Sequence, residues 1–221
     1  MRLLAILLLL LPPQANAQSL SLPDGRPVSA VNVSILVFSQ IVAFRYPYAD
    51  LATEPDYQVM DPDRLLFLSE WVPEGENLED WTQMFTVMGA RDATAALSED
   101  AINVLLESRI AELIGLYERG CDAPISIPQN VPIPGGARAS RGIFLACTEV
   151  SGTQHGEAMM AMAIAGSHDL YTLQSAVRFP VGLKGLYQFP VESWQPRMQL
   201  IVDSFYCTPP EENPDRPQFC M

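Results

Sequence analysis

The sequence contains two histidines, His155 and His168, whose side chains are suited to proton transfer near neutral pH. Each lies in a predicted turn beside a glycine or a serine, where histidines are commonly exposed surface residues. The run Ser167-His168-Asp169 has the residue types of a hydrolytic triad, but neighbours in sequence cannot face one another as a triad requires. No G-x-S-x-G turn is present either. We therefore expect no catalytic residue, and an enzyme that uses one of the two histidines is the third hypothesis.

An acidic turn from Glu74 to Asp80 offers carboxylate oxygens, which are the ligands that Ca²⁺ prefers in proteins. The turn lacks the D-x-D-x-D-G spacing of a calcium loop, so an acidic surface that keeps the protein soluble is the simpler interpretation. A small-ligand or divalent-cation site here is the alternative hypothesis. Its candidate residues lie in or beside the turn: Trp71, Glu76, Glu79 and Trp81.

Three aromatic residues flank the acidic turn on two predicted neighbouring strands. We predict that Trp71, Trp81 and Phe85 cluster together and pack beneath a long helix. A small ligand cleft lined by the same rings is the other interpretation.

The composition describes an acidic chain with enough apolar residues for a core. The formal net charge of the 221 residues is −13, with 48% hydrophobic and 18% charged residues. Nucleic acid is excluded as a partner, because binding to phosphates requires clustered lysine and arginine. No P-loop, G-x-G-x-x-G or H-E-x-x-H motif occurs, so no cofactor or catalytic metal is predicted.

Residues 1–17 have the three parts of a secretory signal in order. Arg2 is followed by the apolar stretch 3–11, two prolines and the small-residue site Ala15-Asn16-Ala17. Nine apolar residues are too few to span a bilayer, which needs about 20 in a helix. We expect cleavage between Ala17 and Gln18, no transmembrane segment in the mature chain, and a periplasmic or secreted protein. Residues 18–221 are interpreted as one domain with a proline-rich tail from about residue 208.

Four cysteines remain after that cleavage, and in an exported chain an even number indicates two disulfides. Three pairings are possible, and the sequence alone does not choose among them. We favour Cys121–Cys147, which would close a proline-rich loop, together with Cys207–Cys220, which would hold the tail. No pair has CxxC spacing, which argues against a zinc site.

The spacing of apolar residues predicts an α+β domain with an antiparallel sheet of about five to six strands. A long amphipathic helix is predicted over residues 99–119, with Ser98 as its N-cap. A closing helix over residues 194–206 packs on the same sheet. Strands are predicted at residues 31–44 (one or two), 65–72, 81–88, 142–150, 157–165 and 170–179. The second and third of these form a hairpin, the last three a meander, and residues 49–63 and 121–141 are expected to be loops.

Several short motifs resemble a known group of proteins. They are IVAFRYP at residues 41–47, VPEGENLEDWTQM at 72–84, IAG at 164–166 and DLYTLQ at 169–174. This order is similar to that of uncharacterised secreted proteobacterial proteins that share a VPxGExxxxWTxM box. The order of elements also resembles, more distantly, the PsbP-like fold, in which helices pack on an antiparallel sheet. The resemblance implies an exported domain without an assigned activity.

The leading hypothesis is therefore a non-enzymatic exported accessory or binding protein of the cell envelope. Its partner is an unidentified envelope protein or a small ligand. The hypothesis depends on two observations. The apolar residues are spaced as a folded core requires, and no recognisable set of catalytic residues is present.

Overall fold

The computed structural model describes residues 31–37, 40–46, 54–61, 63, 66–131, 133, 137–166, 168–182 and 206–208. Within these ranges the chain forms ten strands and one helix. In chain order they are β1 (Val31–Val37), β2 (Gln40–Tyr46), β3 (Tyr57–Asp61), β4 (Leu66–Trp71), β5 (Gln83–Ala90), α1 (Glu99–Gly120), β6 (Pro124–Gln129), β7 (Ala139–Cys147), β8 (His155–Ala165), β9 (Leu170–Pro180) and β10 (Tyr206–Thr208).

Seven strands form one antiparallel sheet in the order β3-β4-β5-β9-β8-β7-β6, and β1-β2-β10 form a second sheet of three. The predicted hairpin is confirmed by the pairing of β4 with β5, and the meander by the pairing of β7 with β8 and of β8 with β9. The pairing of β5 with β9, the central strand of the larger sheet, joins two strands that are distant in sequence.

The prediction of five to six strands was wrong, because the larger sheet alone contains seven. Its two additional strands, β3 and β6, lie in segments that were expected to be loops. Prolines suggested loops there: two of them flank β3, and two lie within β6, where an edge strand tolerates proline because it pairs on one side only. The predicted helix over residues 194–206 lies outside the described residues except for its last position. That residue, Tyr206, begins strand β10, and no C-terminal helix is seen in the part of the chain that the structure describes.

The long helix is confirmed, and its ends follow from local chemistry. The Ser98 side chain accepts a hydrogen bond from the amide of Ala101 at 3.3 Å, which satisfies one of the free amides of the first turn. Glu99 and Asp100 place negative charge at the positive end of the helix dipole, and Arg119 lies in the last turn. One stripe is buried against the sheet, through Ile102, Leu106 and Leu113. No helix of the described ranges has the length and apolar character needed to cross a membrane.

The predicted aromatic cluster beneath the helix was wrong, because the sheet separates its members. The rings of Trp71 and Phe85 pack together with centroids 5.9 Å apart, and both are buried. They lie on the side of the sheet away from α1, since Met84, the neighbour of Phe85, packs on the helix side. Trp81 also packs on the helix side, with Leu113. Strand β5 begins only at residue 83, so the alternation of a strand does not extend back to Trp81.

A buried carboxylate connects the turn between β8 and β9 to the segment before α1. Asp169 is 5% exposed and accepts hydrogen bonds from the amide of Asp92 at 2.9 Å and from the hydroxyl of Tyr171 at 3.1 Å. Thr94 in the same segment donates its hydroxyl hydrogen to the carbonyl of Gly166 at 2.8 Å. Burial and the adjacent Asp169 charge raise the pKa of Tyr171 well above its ordinary value, so its hydroxyl stays protonated. This network ties the segment before α1 to the turn between β8 and β9.

Gly156 in β8 lies where the chain has no room for a side chain. A Cβ atom there would overlap the ring of Phe179 and come within 2.8 Å of the carbonyl oxygens of Cys147 and Thr148. We expect Gly156→Ala to lower the free energy of unfolding by about 1–3 kcal/mol, the usual cost of overpacking. Gly120→Ala is the matched control, since a Cβ at Gly120 meets nothing within 4 Å. Urea titration of both variants tests this, and equal unfolding midpoints would contradict it.

Candidate functional site

The helix covers only part of one face of the seven-stranded sheet. It packs over β7 and β8, and the helix side of β3 and β4 remains partly open to solvent. Apolar side chains are exposed there: Tyr57 at 44%, Val59 at 40% and Leu66 at 45%. We call this surface the open face. Exposed apolar side chains that adjoin one another on a sheet commonly mark an interaction surface.

Two clefts follow each other along the flank of α1 that borders the open face, and together we call them the groove. The first has a volume of about 200 Å³ and lies between Leu105, Arg109 and the sheet residue Met88. The second has a volume of about 280 Å³ and lies between Leu116, Tyr117 and the sheet. Leu105, Arg109 and Glu112 of the first cleft and Leu116 of the second are spaced four, three and four residues apart, so they form one stripe along the helix.

Arg109 anchors the first cleft between the helix and the sheet. Its Nε donates to the Thr172 hydroxyl at 3.1 Å, and its Nη2 donates to the Met88 sulfur at 2.8 Å. Its Nη1 pairs with the carboxylate of Glu112 at 2.8 Å, and Glu112 itself is 60% exposed. The guanidinium is therefore held in one orientation with its charge partner at the mouth of the cleft. This arrangement can present a fixed carboxylate and cation to a bound group.

Tyr117 and Glu157 form the polar wall of the second cleft. The Tyr117 hydroxyl donates to a Glu157 carboxylate oxygen at 2.8 Å. Burial and the Glu157 charge raise the pKa of Tyr117 well above its ordinary value, so the hydroxyl remains a donor. The other carboxylate oxygen of Glu157 lies 3.7 Å from Nε of Arg178, whose guanidinium stacks 3.9 Å from the centroid of the Trp81 ring. The polar groups of this wall therefore hold each other in place.

A disulfide closes the end of the second cleft. The structure joins Cys121, just after α1, to Cys147 at the end of β7, with 5.7 Å between their Cα atoms. This is the pairing that we favoured for these two cysteines. The bond ties the C-terminal end of α1 to the sheet and borders the cleft. The predicted bond between Cys207 and Cys220 lies outside the described residues.

The candidate ligand residues beside the acidic turn do not come together as a site. Trp71 and Trp81 are 4% and 6% exposed and lie on opposite sides of the sheet. Both carboxylate oxygens of Glu76 bind Thr82, one its amide and the other its hydroxyl, so they hold the turn closed. Glu79 is exposed, and its backbone carbonyl accepts from Arg178 at 3.1 Å. Within the described ranges, no three residues of metal-ligating type are grouped to hold an ion.

The two histidines lie at opposite ends of strand β8. His155 begins the strand, and His168 follows its end as an exposed turn residue. The strand has 11 residues, which corresponds to roughly 33 Å at about 3.3 Å per residue. Partial burial and the nearby Arg178 charge lower the pKa of His155. One reaction centre cannot contain both side chains.

The residues that line the groove, chiefly Arg109, Tyr117 and Glu157, were not among the predicted site residues. Arg109 offered a signal, because it places a charge beside the apolar stripe of α1 at spacings of four from Leu105 and Leu113. Glu157 begins the predicted strand 157–165, which is otherwise apolar, but nothing local indicated that it faces Tyr117, since the two are 40 residues apart.

The fold is similar to the solved structure of a single-residue mutant of the protein Mog1, with a TM-score of 0.50 and 10% sequence identity. The match covers 80% of this chain and 95% of that one. The fold is Mog1-like.

At this level of identity the likeness to Mog1 concerns the α+β fold alone, and it gives no support to a PsbP-like relationship. No family model matches the sequence, and no curated protein matches it. The resemblance to secreted proteobacterial proteins stays a prediction.

Proposed function

We propose that this chain is a non-enzymatic binding or accessory protein, exported to the cell envelope, that holds a partner protein in the groove beside α1. The observation that carries the proposal is the exposure of apolar side chains along that groove. Leu116 on the helix is 57% exposed, and Leu66 across the first cleft is 45% exposed. Burial of such surface stabilises a complex by roughly 25 cal/mol per Å² before the costs of association.

A partner protein suits the shape of the groove better than a small molecule. Pockets that enclose drug-sized ligands measure about 300–1,000 Å³. The two clefts, at about 200 and 280 Å³, fall below that range and succeed one another along a helix. An elongated surface of this kind matches a helix or an extended segment of another protein. The fixed polar groups Arg109, Glu112 and Glu157 would set its orientation.

Export is supported by the secretory signal in the sequence and by the disulfide between Cys121 and Cys147. Disulfides of this structural kind persist in oxidising compartments. The acidic turn is the weaker binding site, because the carboxylate of Glu76 already binds Thr82 through both oxygens. An enzyme based on His155 or His168 would need a carboxylate partner in a pocket, and His168 is an exposed turn residue.

Site-specific photocrosslinking tests the groove directly. A photoreactive phenylalanine analogue replaces Leu116 in the groove, and in a control protein it replaces Val104, which is 65% exposed on the solvent side of the same helix. Both proteins are expressed in the source organism and irradiated in whole cells. We expect discrete crosslinked partners from position 116, the same in repeated growths, and none from position 104.

Three results would overturn the proposal. The first is equal crosslinking from both positions. The second is no crosslinking from position 116 in a variant whose urea unfolding midpoint equals that of the wild-type protein. The third is turnover in a hydrolase panel that a substitution of His155 or His168 abolishes, which would instead establish the enzyme hypothesis.

A further inference from the structure

Strand β3 forms one edge of the seven-stranded sheet and is unusually exposed on both of its faces. Tyr57 and Val59 project on the helix side at 44% and 40% exposure, and Met60 projects on the other side at 45%. An edge strand also has backbone amides and carbonyls that face away from its single neighbour. Such a strand is a template for the backbone of another strand.

The opposite edge of the sheet is protected in a way that β3 is not. Strand β6 contains Pro124 and Pro128, which lack amide hydrogens and obstruct the approach of another strand. Strand β3 has the sequence YQVMD, with no proline and no lysine. Natural sheets commonly protect an edge by one of these two residues. Among the described residues, none pairs with the outer edge of β3, so the sheet is closed to strand addition at β6 and open to it at β3.

The flanks of β3 are acidic on both sides. Glu54 and Asp56 precede the strand, Asp61 ends it and Asp63 follows it, with no basic residue among positions 54–63. Even with the next residue, Arg64, included, the net charge of this segment is negative. A strand laid along β3 would therefore meet negative charge near both of its ends. Complementary charge would both attract it and fix its register.

We infer that β3 binds an extended segment of a partner protein by strand addition, and that this segment has alternating apolar residues with lysine or arginine at both ends. The inference rests on the proposed binding function and names the mode of binding. The added strand would lie at the border of the open face, so its helix-side residues would adjoin Tyr57 and Val59. Its other residues would cover Met60. Burial on both faces adds to the backbone hydrogen bonds of the new ladder.

A second copy of this chain fits the same edge poorly. Antiparallel pairing of two β3 strands would place Glu54 and Asp56 of one copy near Asp61 and Asp63 of the other. Like charges at both ends of a ladder oppose pairing, and each copy also has a formal net charge of −13. A segment with lysine or arginine at both ends would instead be attracted to these acidic residues.

A synthetic peptide tests the inference without knowledge of the natural partner. The probe alternates valine and threonine at its centre and has two lysines at each end, and a matched peptide has glutamates at its ends. We expect the lysine peptide to bind at least tenfold more tightly, with an affinity that falls as salt is added. Hydrogen exchange of the complex should show new amide protection in Tyr57–Asp61 and none in Pro124–Gln129.

Two matched variants locate the peptide. Val59→Lys adds a positive charge to the edge strand, whereas Val104→Lys makes the same change on the solvent side of α1. We expect the first to weaken peptide binding at least tenfold and the second to leave it unchanged within twofold. Glu54→Gln combined with Asp63→Asn should weaken binding severalfold and reduce its salt dependence.

The inference is overturned by equal binding of the two peptides, by equal affinity of the two lysine variants, or by protection at β6 in place of β3. Concentration-dependent dimerisation that Val59→Lys abolishes would also overturn it, in favour of a second copy. None of these outcomes touches the proposed function. Position-specific crosslinking from residue 116 would still support a binding protein whose partner uses the groove alone.

Discussion

Replacing Cys121 and Cys147 together by alanine should lower the free energy of unfolding by about 3.5 kcal/mol. The bond closes a loop with a sequence separation of 26, and the entropy that such a crosslink removes from the unfolded chain corresponds to about this value. The loss should be visible as a lower urea midpoint with an increased dependence on denaturant, because the unfolded chain becomes less compact. Peptide mapping of the unreduced wild-type protein should show the two cysteines in one crosslinked fragment.

The control for the cysteine variant is the same titration with reductant present. Reductant should lower the unfolding midpoint of the wild-type protein. If reductant also lowers the midpoint of the double variant, which lacks this bond, a second disulfide is present. A double variant as stable as the wild-type protein in the absence of reductant would contradict the prediction. It would mean that the loop between α1 and β7 is held by its other contacts.

Leu113→Ala should cost about 2–5 kcal/mol, the usual range for a buried leucine. Leu113 is 2% exposed and belongs to the cluster that attaches α1 to the sheet through Ile143, Leu145 and Met159. Removal of its branched end leaves a cavity that rigid strands on the other side cannot fill. Because this helix forms one wall of the groove, the same change should also weaken crosslinking from position 116.

Leu116→Ala is the matched control, since it removes the same atoms three positions along the same helix. Leu116 is 57% exposed, so its loss should change the free energy of unfolding by no more than about 0.5 kcal/mol. Parallel urea titrations of the two variants measure the difference. Similar losses would contradict the description of α1 as a helix with one buried stripe and one open flank.

The open flank and the buried stripe explain how one helix serves both the core and the groove. Residues such as Ile102 and Leu106 are fully buried against β7 and β8 and hold the helix in place. Arg109 lies beside that stripe and reaches the sheet at Thr172 and Met88. The helix is thereby fixed on one side and accessible on the other, which is the requirement for a preformed binding groove.

Local sequence signals determined the helix and the hairpin. Ser98, the acidic residues after it and the apolar repeat predicted α1 to within one residue at its C-terminal end. These features depend on hydrogen bonds and side-chain spacing within one segment, so they can be recognised without knowledge of the rest of the chain. The alternating runs that became β4, β5, β8 and β9 were recognisable for the same reason.

Edge strands escaped prediction because their local signals resemble those of loops. Strand β3 lies between two prolines among acidic residues, and β6 contains two prolines. Both are strands because a neighbour with a complete hydrogen-bonding edge lies beside them, namely β4 and β7. That neighbour is a property of the folded sheet and is absent from the segment itself.

The fold class, the long helix, the hairpin, the meander and the acidic, disulfide-capable character of the chain could be predicted from local sequence. The surface available for binding could not, because it depends on which distant segments meet. In the folded protein β5 lies beside β9, Trp71 is separated from Trp81, and Tyr117 reaches Glu157 across 40 residues. Pairing between distant strands depends on the burial of the whole sheet, whereas helix and turn signals are complete within one segment.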